Sequence, residues 1–302
     1  MDDSPTPSAP DTPTVIQLRG VKKVFGTQTV LRDVNLDVHQ GETMVVMGGS
    51  GSGKSTTLRL MIGSFPTTEG SIELFGHNIC TMNEDELNGV RKQIGILFQS
   101  GALFQSMTVA ENVALPLREH TDLDPDIIDI QVQIKLELVG LREHADKFPA
   151  QISGGMKKRA GLARALALDP KILFYDEPSA GLDPVTSAQI DQLMVDLSKK
   201  LGVTSVVVTH EMDSAFTIAD RMAMLDKGRI LAVEKREWYE RLRDTPDEQA
   251  ESMEHDQALI RQFLRGDAHG PLNSRRDSDA YETALLKPSG AISMPAVRST
   301  RG

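Results

Sequence analysis

The chain opens with short runs in which apolar and polar positions alternate. From Thr14 to about Val38, TVIQL and TVLRDVNLDV keep a two-residue period rich in β-branched residues, which predicts antiparallel strands. Thr43–Met47 (TMVVM) breaks that period. An unbroken apolar run ending in glycines predicts a strand buried on both faces. A helix from Lys54 to about Ile62 follows, then strands over Ser71–Phe75 and Ile94–Phe98. Between Thr108 and Ala165 the pattern turns helical: Asp124-Pro125 opens one helix with an N-cap and an N1 proline, DIIDIQVQIKLELVGL continues it, and Gly140 stands near its end. Two more buried-type strands, Ile172–Tyr175 and Ser205–Thr209, flank a helix opened by Asp183-Pro184. The alternation predicts an α/β domain with a largely parallel core, an N-terminal antiparallel β part and a helical subdomain over about residues 105–165.

The two ends read differently. Residues 1–13 are acidic and proline-rich, without the apolar stretch of a signal peptide, and are expected to be a disordered lead-in. Past Arg243 the chain is acidic (RDTPDEQAESMEHD), with a short amphipathic piece at Ala258–Leu264 and then a mixed Gly/Ser/Arg tail. The expected division is therefore a folded domain over 14–243 and an extension over 244–302, partly helical and then flexible. The tail either dangles or docks Tyr281, Leu285 and Leu286 on a partner copy.

Composition narrows the classes. Of 302 residues, 39% are hydrophobic and 25% charged, the mix of a soluble globule. A net charge of −10 argues against nucleic acid as a partner, because neutralising phosphates needs clustered Lys and Arg. Cys80 is the single cysteine, which excludes an intrachain disulfide and fits a reducing compartment. No apolar run approaches the ~20 residues of a membrane helix, so a membrane role would run through a partner. The methionines are expected as core fillers. Lys157-Lys158-Arg159 is expected as the solvated side of a helix, and Arg275-Arg276 is too short to argue for headgroup or nucleic-acid binding.

The chemistry begins at Gly48-Gly49-Ser50-Gly51-Ser52-Gly53-Lys54-Ser55-Thr56. It fits G-x-x-x-x-G-K-[ST] and lies between an expected strand and helix, as a phosphate-binding P-loop requires. Backbone N–H groups would wrap the β-phosphate, Lys54 would neutralise β/γ oxygens, and Ser55 would ligate Mg²⁺. Ile172–Glu177 (ILFYDE) is a buried-type strand ending in two carboxylates. Asp176 can hold Mg²⁺ through water, and Glu177 is placed to polarise an attacking water. VVVTH puts His210 at another strand's C-terminal end, where open α/β sheets place their ligands. Gln99, after IGILF, is weak taken alone. Ser153-Gly154-Gly155 leaves bare N–H groups at a helix start, a second anion-binding geometry.

In this order the motifs resemble the ATP-binding-cassette (ABC) ATPase family: P-loop, Gln99, signature Ser153-Gly154-Gly155, Asp176-Glu177, Ser179-Ala180-Gly181-Leu182-Asp183, then His210. The resemblance spans roughly residues 14–235. It implies a RecA-like parallel-sheet core, ATP and Mg²⁺ as cofactors, and Gln99 with Ser55 and Asp176 around the metal. It also implies catalytic roles for Glu177, His210 and Gln99, and adenine stacking on Phe25, where the family often has Tyr. Two cassettes pack head to tail in this family. The resemblance therefore implies a homodimer in which Ser153, Gly154 and Gly155 meet the γ-phosphate held by another copy's P-loop.

A narrower resemblance lies in FQSGALF (Phe98–Phe104), ENVALPLREH (Glu111–His120), ISGGMKKRAGLARALALDP and IRQFLRGDAHGPL (Ile260–Leu272). These look like the ATPase of maintenance-of-lipid-asymmetry (Mla) phospholipid transporters. Met156, where most cassettes carry Gln, fits that subgroup. Implied partners are a membrane permease met by the Gln99–Phe104 region and the helical subdomain, an MCE-type lipid-binding protein reached through it, and an accessory regulator. The implied location is the cytoplasmic face of the inner membrane, as a peripheral protein. The alternative within transporters is the ATPase of an importer for another solute, with IRQFLRGDAHGPL as the discriminator. A DNA-repair or chromosomal cassette would carry a long coiled-coil insertion between P-loop and signature, and no heptad run stands there. A nucleotide-gated module without turnover would have lost Glu177 or His210.

Overall fold

The computed structural model describes residues 12–250, 252–268 and 270–272. Positions 1–11 of the expected lead-in, Arg275-Arg276, and the tail residues Tyr281, Leu285 and Leu286 lie outside the described residues. The chain divides into two compact units between Arg241 and Leu242.

The first unit begins with β1 (Thr14–Phe25), β2 (Gln28–His39), β3 (Thr43–Met47), α1 (Lys54–Met61), β4 (Glu69–Leu74) and the short β5 (His77–Asn78). α2 (Glu84–Arg91) and β6 (Ile94–Leu97) lead to three helices, α3 (Val109–His120), α4 (Pro125–Leu138) and α5 (Gly154–Ala165). β7 (Ile172–Asp176), α6 (Pro184–Leu201), β8 (Thr204–Thr209), α7 (Met212–Ile218), β9 (Arg221–Asp226) and β10 (Arg229–Lys235) follow. α8 (Arg236–Asp244) runs across the division, and the second unit holds α9 (Asp247–Ala250) and α10 (His255–Arg265). Within that unit, the Arg261 guanidinium donates to the Thr245 carbonyl at 2.6 Å and to Asp247, and Gln262 accepts the Leu272 N–H at 2.7 Å.

Two sheets share one apolar core. A four-stranded antiparallel sheet has the order β2-β1-β4-β5, and a six-stranded sheet has the order β10-β9-β3-β8-β7-β6. In the second, β9, β3, β8, β7 and β6 are parallel and only β10 pairs antiparallel. Every residue of β3, β7 and β8 is buried, as their unbroken apolar runs require for strands covered on both faces. Ile16, Leu18, Leu31 and Val38 of the antiparallel sheet join Met44, Phe174, Val206 and Leu225 of the parallel one, with Leu58 of α1, in a continuous buried cluster. Met44, Met47, Met61, Met194, Met222 and Met224 are buried, in the core-filling role expected of them.

Several elements stand outside the expected ones. α2 is polar on most of its length and is fixed by a capping box, with Asn83 accepting the Glu86 N–H and Glu86 accepting that of Asn83. β9 and β10 form a hairpin around Lys227-Gly228, both at positive φ. The strand expected to end at Phe75 stops at Leu74, because Phe75 takes a φ of 53°.

One expectation is overturned. Lys157-Lys158-Arg159 is not a uniformly solvated face: Lys158 is only 5% exposed and its neighbours are half-buried. The α5 face that carries Lys158 turns into the protein, where a carbonyl meets its ammonium.

Candidate functional site

Parallel pairing brings the chemistry together. β3, β8 and β7 are adjacent and in register, with Met47 opposite Thr209 and Asp176 opposite Val208, and β6 places Leu97 opposite Tyr175. The residues that follow these strands therefore gather at one edge of the sheet. They are Gly48 onward, His210, Glu177 and Gln99.

The P-loop joins β3 to α1, and its glycines answer steric demands. Gly48 has a φ of 153°, and a Cβ there would stand 2.1 Å from the Leu225 carbonyl oxygen. Gly53 has a φ of 111°, and its Cβ would meet Leu31 at 2.6 Å. Gly49 has open space around it, so packing within the chain does not demand glycine there. α1 begins at Lys54 with no side-chain cap and no acidic residue in its first turn, leaving its N-terminal amides and dipole for an external anion. Ser52 Oγ is buried without a hydrogen-bond partner, which fits a loop built around a bound group. Lys54 Nζ donates to the carbonyls of Gly48 at 2.8 Å and Gly49 at 3.1 Å. Burial pulls the Lys54 pKa below the usual lysine range, while Glu177 and Asp176 oppose that shift.

Ser55 Oγ donates to Asp176 Oδ1 at 3.2 Å. Two hard oxygen ligands beside a phosphate loop suit Mg²⁺, which binds through few protein oxygens and completes its shell with phosphate and water. Glu177 follows at a φ of 50°, its N–H tied to the Val208 carbonyl at 2.9 Å. His210 Nδ1 lies 2.8 Å from Glu177 Oε1, and the His210 N–H donates to Oε2 at 3.3 Å. The carboxylate is nearly buried while the imidazole is mostly exposed. Gln99 is exposed just past β6, and no hydrogen bond joins it to the Ser55–Asp176 pair.

Ser153 caps α5 by accepting the Met156 N–H at 3.3 Å, and the Ser153 carbonyl accepts the Lys157 N–H at 2.9 Å. The cap uses an oxygen lone pair, so the hydroxyl proton and the Gly154 and Gly155 amides are donors available to an anion. Gly155 has a second reason to be glycine: a Cβ there would lie 2.5 Å from Thr186 Cγ2 on α6. The SAGLD segment ends in Asp183, which caps α6 by accepting from Val185 and Thr186 N–H; hydrogen bonding to Thr186 holds its carboxyl below the usual range. Phe25 is 46% exposed, edge-on to Phe65 at 5.4 Å, with Lys23 Nζ 4.9 Å from its ring centre. That leaves an open aromatic surface rather than a core ring.

Three site-shaping residues lie in segments that carry the narrower resemblance, yet no role follows for them from the sequence. Lys158 donates to the Glu177 carbonyl at 3.0 Å. Asn112, fully buried on α3, accepts from Phe104 N–H and donates to the Phe104, Met107 and Thr108 carbonyls. Arg164 on α5 donates to the Ala102 carbonyl at 2.8 Å and that of Gly101 at 3.1 Å. Each of them contacts residues distant in sequence or a loop carbonyl, and periodicity carries no record of that.

Phosphate-ready amides, an oxygen pair for a divalent cation and a carboxylate held by histidine meet on one parallel-sheet edge; the fold and this edge define a P-loop nucleotide-hydrolysing cassette. Residues 31–180 match the ABC transporter family. The chain is 41% identical over 276 residues to the "probable ribonucleotide transport ATP-binding protein mkl" of Mycobacterium leprae, covering 90% of this chain and 76% of that protein. It is 40% identical over 272 residues to the "intermembrane phospholipid transport system ATP-binding protein MlaF" of Escherichia coli K12, covering 90% and 96%. A dimeric post-hydrolysis structure of the ATP-binding cassette MJ0796 with ADP and Pi superposes with a TM-score of 0.68 at 33% identity, covering 73% of this chain and 98% of that one. The chain belongs to the ABC transporter family, as an ATP-binding ATPase.

Proposed function

We propose that this ATPase powers a phospholipid transporter of the Mla type. The observation that carries the reading is the likeness to MlaF, which spans 96% of that protein at 40% identity. A second reading has its own support, because mkl, at 41% identity, is named for ribonucleotide transport. The phospholipid reading takes the larger share of its relative's length, 96% against 76%. Reconstitution of the chain with its co-purified permease in liposomes tests it. ATP-dependent movement of labelled phospholipid is expected, whereas ribonucleotide uptake without lipid movement would overturn it.

In this reading the P-loop amides and Lys54 bind the β- and γ-phosphates, Phe25 stacks on adenine, and Ser55, Asp176 and Gln99 would hold Mg²⁺. The metal supplies charge neutralisation on the transferred phosphoryl group. Glu177 accepts a proton from the attacking water, and His210 orients that carboxylate through the 2.8 Å contact. Ser153, Gly154 and Gly155 donate to the γ-phosphate held by a second copy, so the working unit is a homodimer with ATP in its interface. Loss of that phosphate removes contacts on both sides and reopens it.

The permease is proposed to dock in a groove of about 820 Å³ on the first unit, lined by Phe98, Phe104, Leu115, Pro116 and Arg164. Phe98 and Phe104 are exposed there, at the loop that Asn112 and Arg164 hold. An MCE-type protein is reached through that permease. An accessory regulator is proposed for the outer face of α4, where Ile127, Ile130 and Ile134 stand exposed at helical spacing. Among the described residues no helix is long and apolar enough to cross a membrane, and the proposed location is peripheral, on the cytoplasmic face of the inner membrane.

A further inference from the structure

Lys158 is a buried ammonium with no part in the scheme above. It lies past the first turn of α5, the helix whose capped start carries Ser153, Gly154 and Gly155. Its Nζ donates to the Glu177 carbonyl oxygen at 3.0 Å. The same oxygen accepts the Ala180 N–H at 3.3 Å, closing a turn over Glu177, Pro178, Ser179 and Ala180 with proline second. On its other side the turn is tied to α7 and α6: Ser179 Oγ is 3.2 Å from Ser214 Oγ, which donates to Asp191 at 2.7 Å.

The backbone at Glu177 needs such support. A φ of 50° is costly for a residue with a side chain, and the following proline restricts it further. Such a conformation persists only when its surroundings over-determine it. The Glu177 N–H is fixed by Val208 and its carbonyl by Lys158, so both peptide planes that set the side chain's direction are pinned. Burying an ammonium is itself unfavourable: desolvation lowers the Lys158 pKa, with Glu211, Glu177 and Asp176 pulling it back. A leucine or methionine would fill the same space without that cost.

We infer that Lys158 is a positioning residue for hydrolysis, holding the Glu177 carbonyl so that the carboxylate is aimed, and tying that aim to the phosphate-facing helix of the same chain. Engagement of one copy's signature by a partner's nucleotide is thereby transmitted to that copy's own Glu177. The inference rests on the reading of Glu177 as the group that activates water.

The test compares Lys158→Met, Lys158→Arg, Glu177→Gln and the Glu177→Gln/Lys158→Met double variant in the full-length chain. Turnover, KM, nucleotide affinity and thermal unfolding are measured for each. Lys158→Met is expected to lose roughly 10²-fold in kcat, the scale of a small misplacement of a reacting group, with KM and nucleotide affinity within about twofold. Lys158→Arg, whose guanidinium donates to the same carbonyl, is expected to recover most of the loss. The double variant is expected to be no slower than Glu177→Gln alone, since both changes remove the same contribution. Should Lys158→Met not fold, Lys158→Gln is measured by the same criteria. Turnover of Lys158→Met within about twofold of wild type overturns the inference. Equal loss in Met and Arg variants, or multiplying losses in the double variant, overturns it too. If Glu177→Gln itself keeps full turnover, the reading of Glu177 fails, and that result is distinct from a failure at Lys158 alone.

Discussion

Two glycines in the signature, side by side, are glycine for different reasons. Gly154 has only an ordinary 3.5 Å contact awaiting a Cβ, from Leu182, whereas Gly155 faces Thr186 Cγ2 at 2.5 Å. Neither has a positive φ, so backbone strain is not the issue. The Gly155 contact is a packing constraint between α5 and α6, and it makes a stability prediction independent of nucleotide. Gly155→Ala should cost about 1–3 kcal/mol through overpacking. Thr186→Ser removes the offending methyl and keeps the hydroxyl that donates to Asp183, so the double variant should regain most of the loss. Chemical denaturation of the four proteins reads this directly; a double variant no more stable than Gly155→Ala would show that Thr186 is not the constraint. The motif was legible in the sequence as a phosphate-facing turn, but the Thr186 partner was not, because the close approach of two helices leaves no periodic trace in either one. Lys158 is the same case with opposite outcome: three basic residues in a row read as a solvated face, and a single distant carbonyl reverses that for one of them.

Elements differ in how openly they declare themselves. β3, β7 and β8 were legible because burial on both faces demands an unbroken apolar run, and a parallel interior strand has nothing else to be. α6 announced itself through Asp183-Pro184, and the structure gives Asp183 the two amide contacts expected of a cap. Asp124-Pro125 opens α4 just as visibly, yet Asp124 makes no side-chain cap bond there. α2 depends on its capping box more than on apolar period, and pattern reading passes over it, whereas β9 carries an unbroken buried run, Met222–Leu225, of the same kind as β3. The segment before α3 is held by side chains from two helices, Asn112 of α3 and Arg164 of α5, rather than by a regular element. Asn112 satisfies the Phe104 N–H and three carbonyls around it, replacing a regular element with side-chain hydrogen bonds. Asn112→Ala leaves the Phe104 N–H and the Met107 carbonyl without a partner, while the Phe104 and Thr108 carbonyls keep backbone ones, and should destabilise the chain by about 1–3 kcal/mol. Hydrogen exchange should rise first in residues 103–108, ahead of the β3–β8 core; unchanged protection of that segment would place its order elsewhere. Since Arg164 holds the neighbouring Gly101 and Ala102 carbonyls from α5, the proposed permease-docking loop is fastened to α3 and α5 rather than to the sheet.

At the scale of the whole molecule, the capped start of α5 cannot serve its own P-loop in the proposed scheme, and an anion-binding helix start needs an anion from elsewhere. Each copy carries a net charge of −10, so two copies repel at long range, and in the proposed dimer association depends on short-range contacts made through the nucleotide. Glu177→Gln keeps the P-loop, Lys54 and the signature, and should retain ATP while turnover falls by roughly 10²–10⁴-fold, the usual worth of a general base. With the γ-phosphate kept in place, that variant should accumulate as a dimer in ATP and return to monomer in ADP, read by size-exclusion chromatography with light scattering. Adding Gly154→Asp isolates the contribution of the second copy. The 3.5 Å contact with Leu182 leaves room for the new Cβ, so the fold is retained, while a carboxylate now stands where the γ-phosphate would be met. The double variant should bind ATP as a monomer with unchanged affinity and fail to dimerise. Loss of monomer binding to the same extent as dimerisation would mean that Ser153–Gly155 acts within one chain, and the shared site would have to be abandoned.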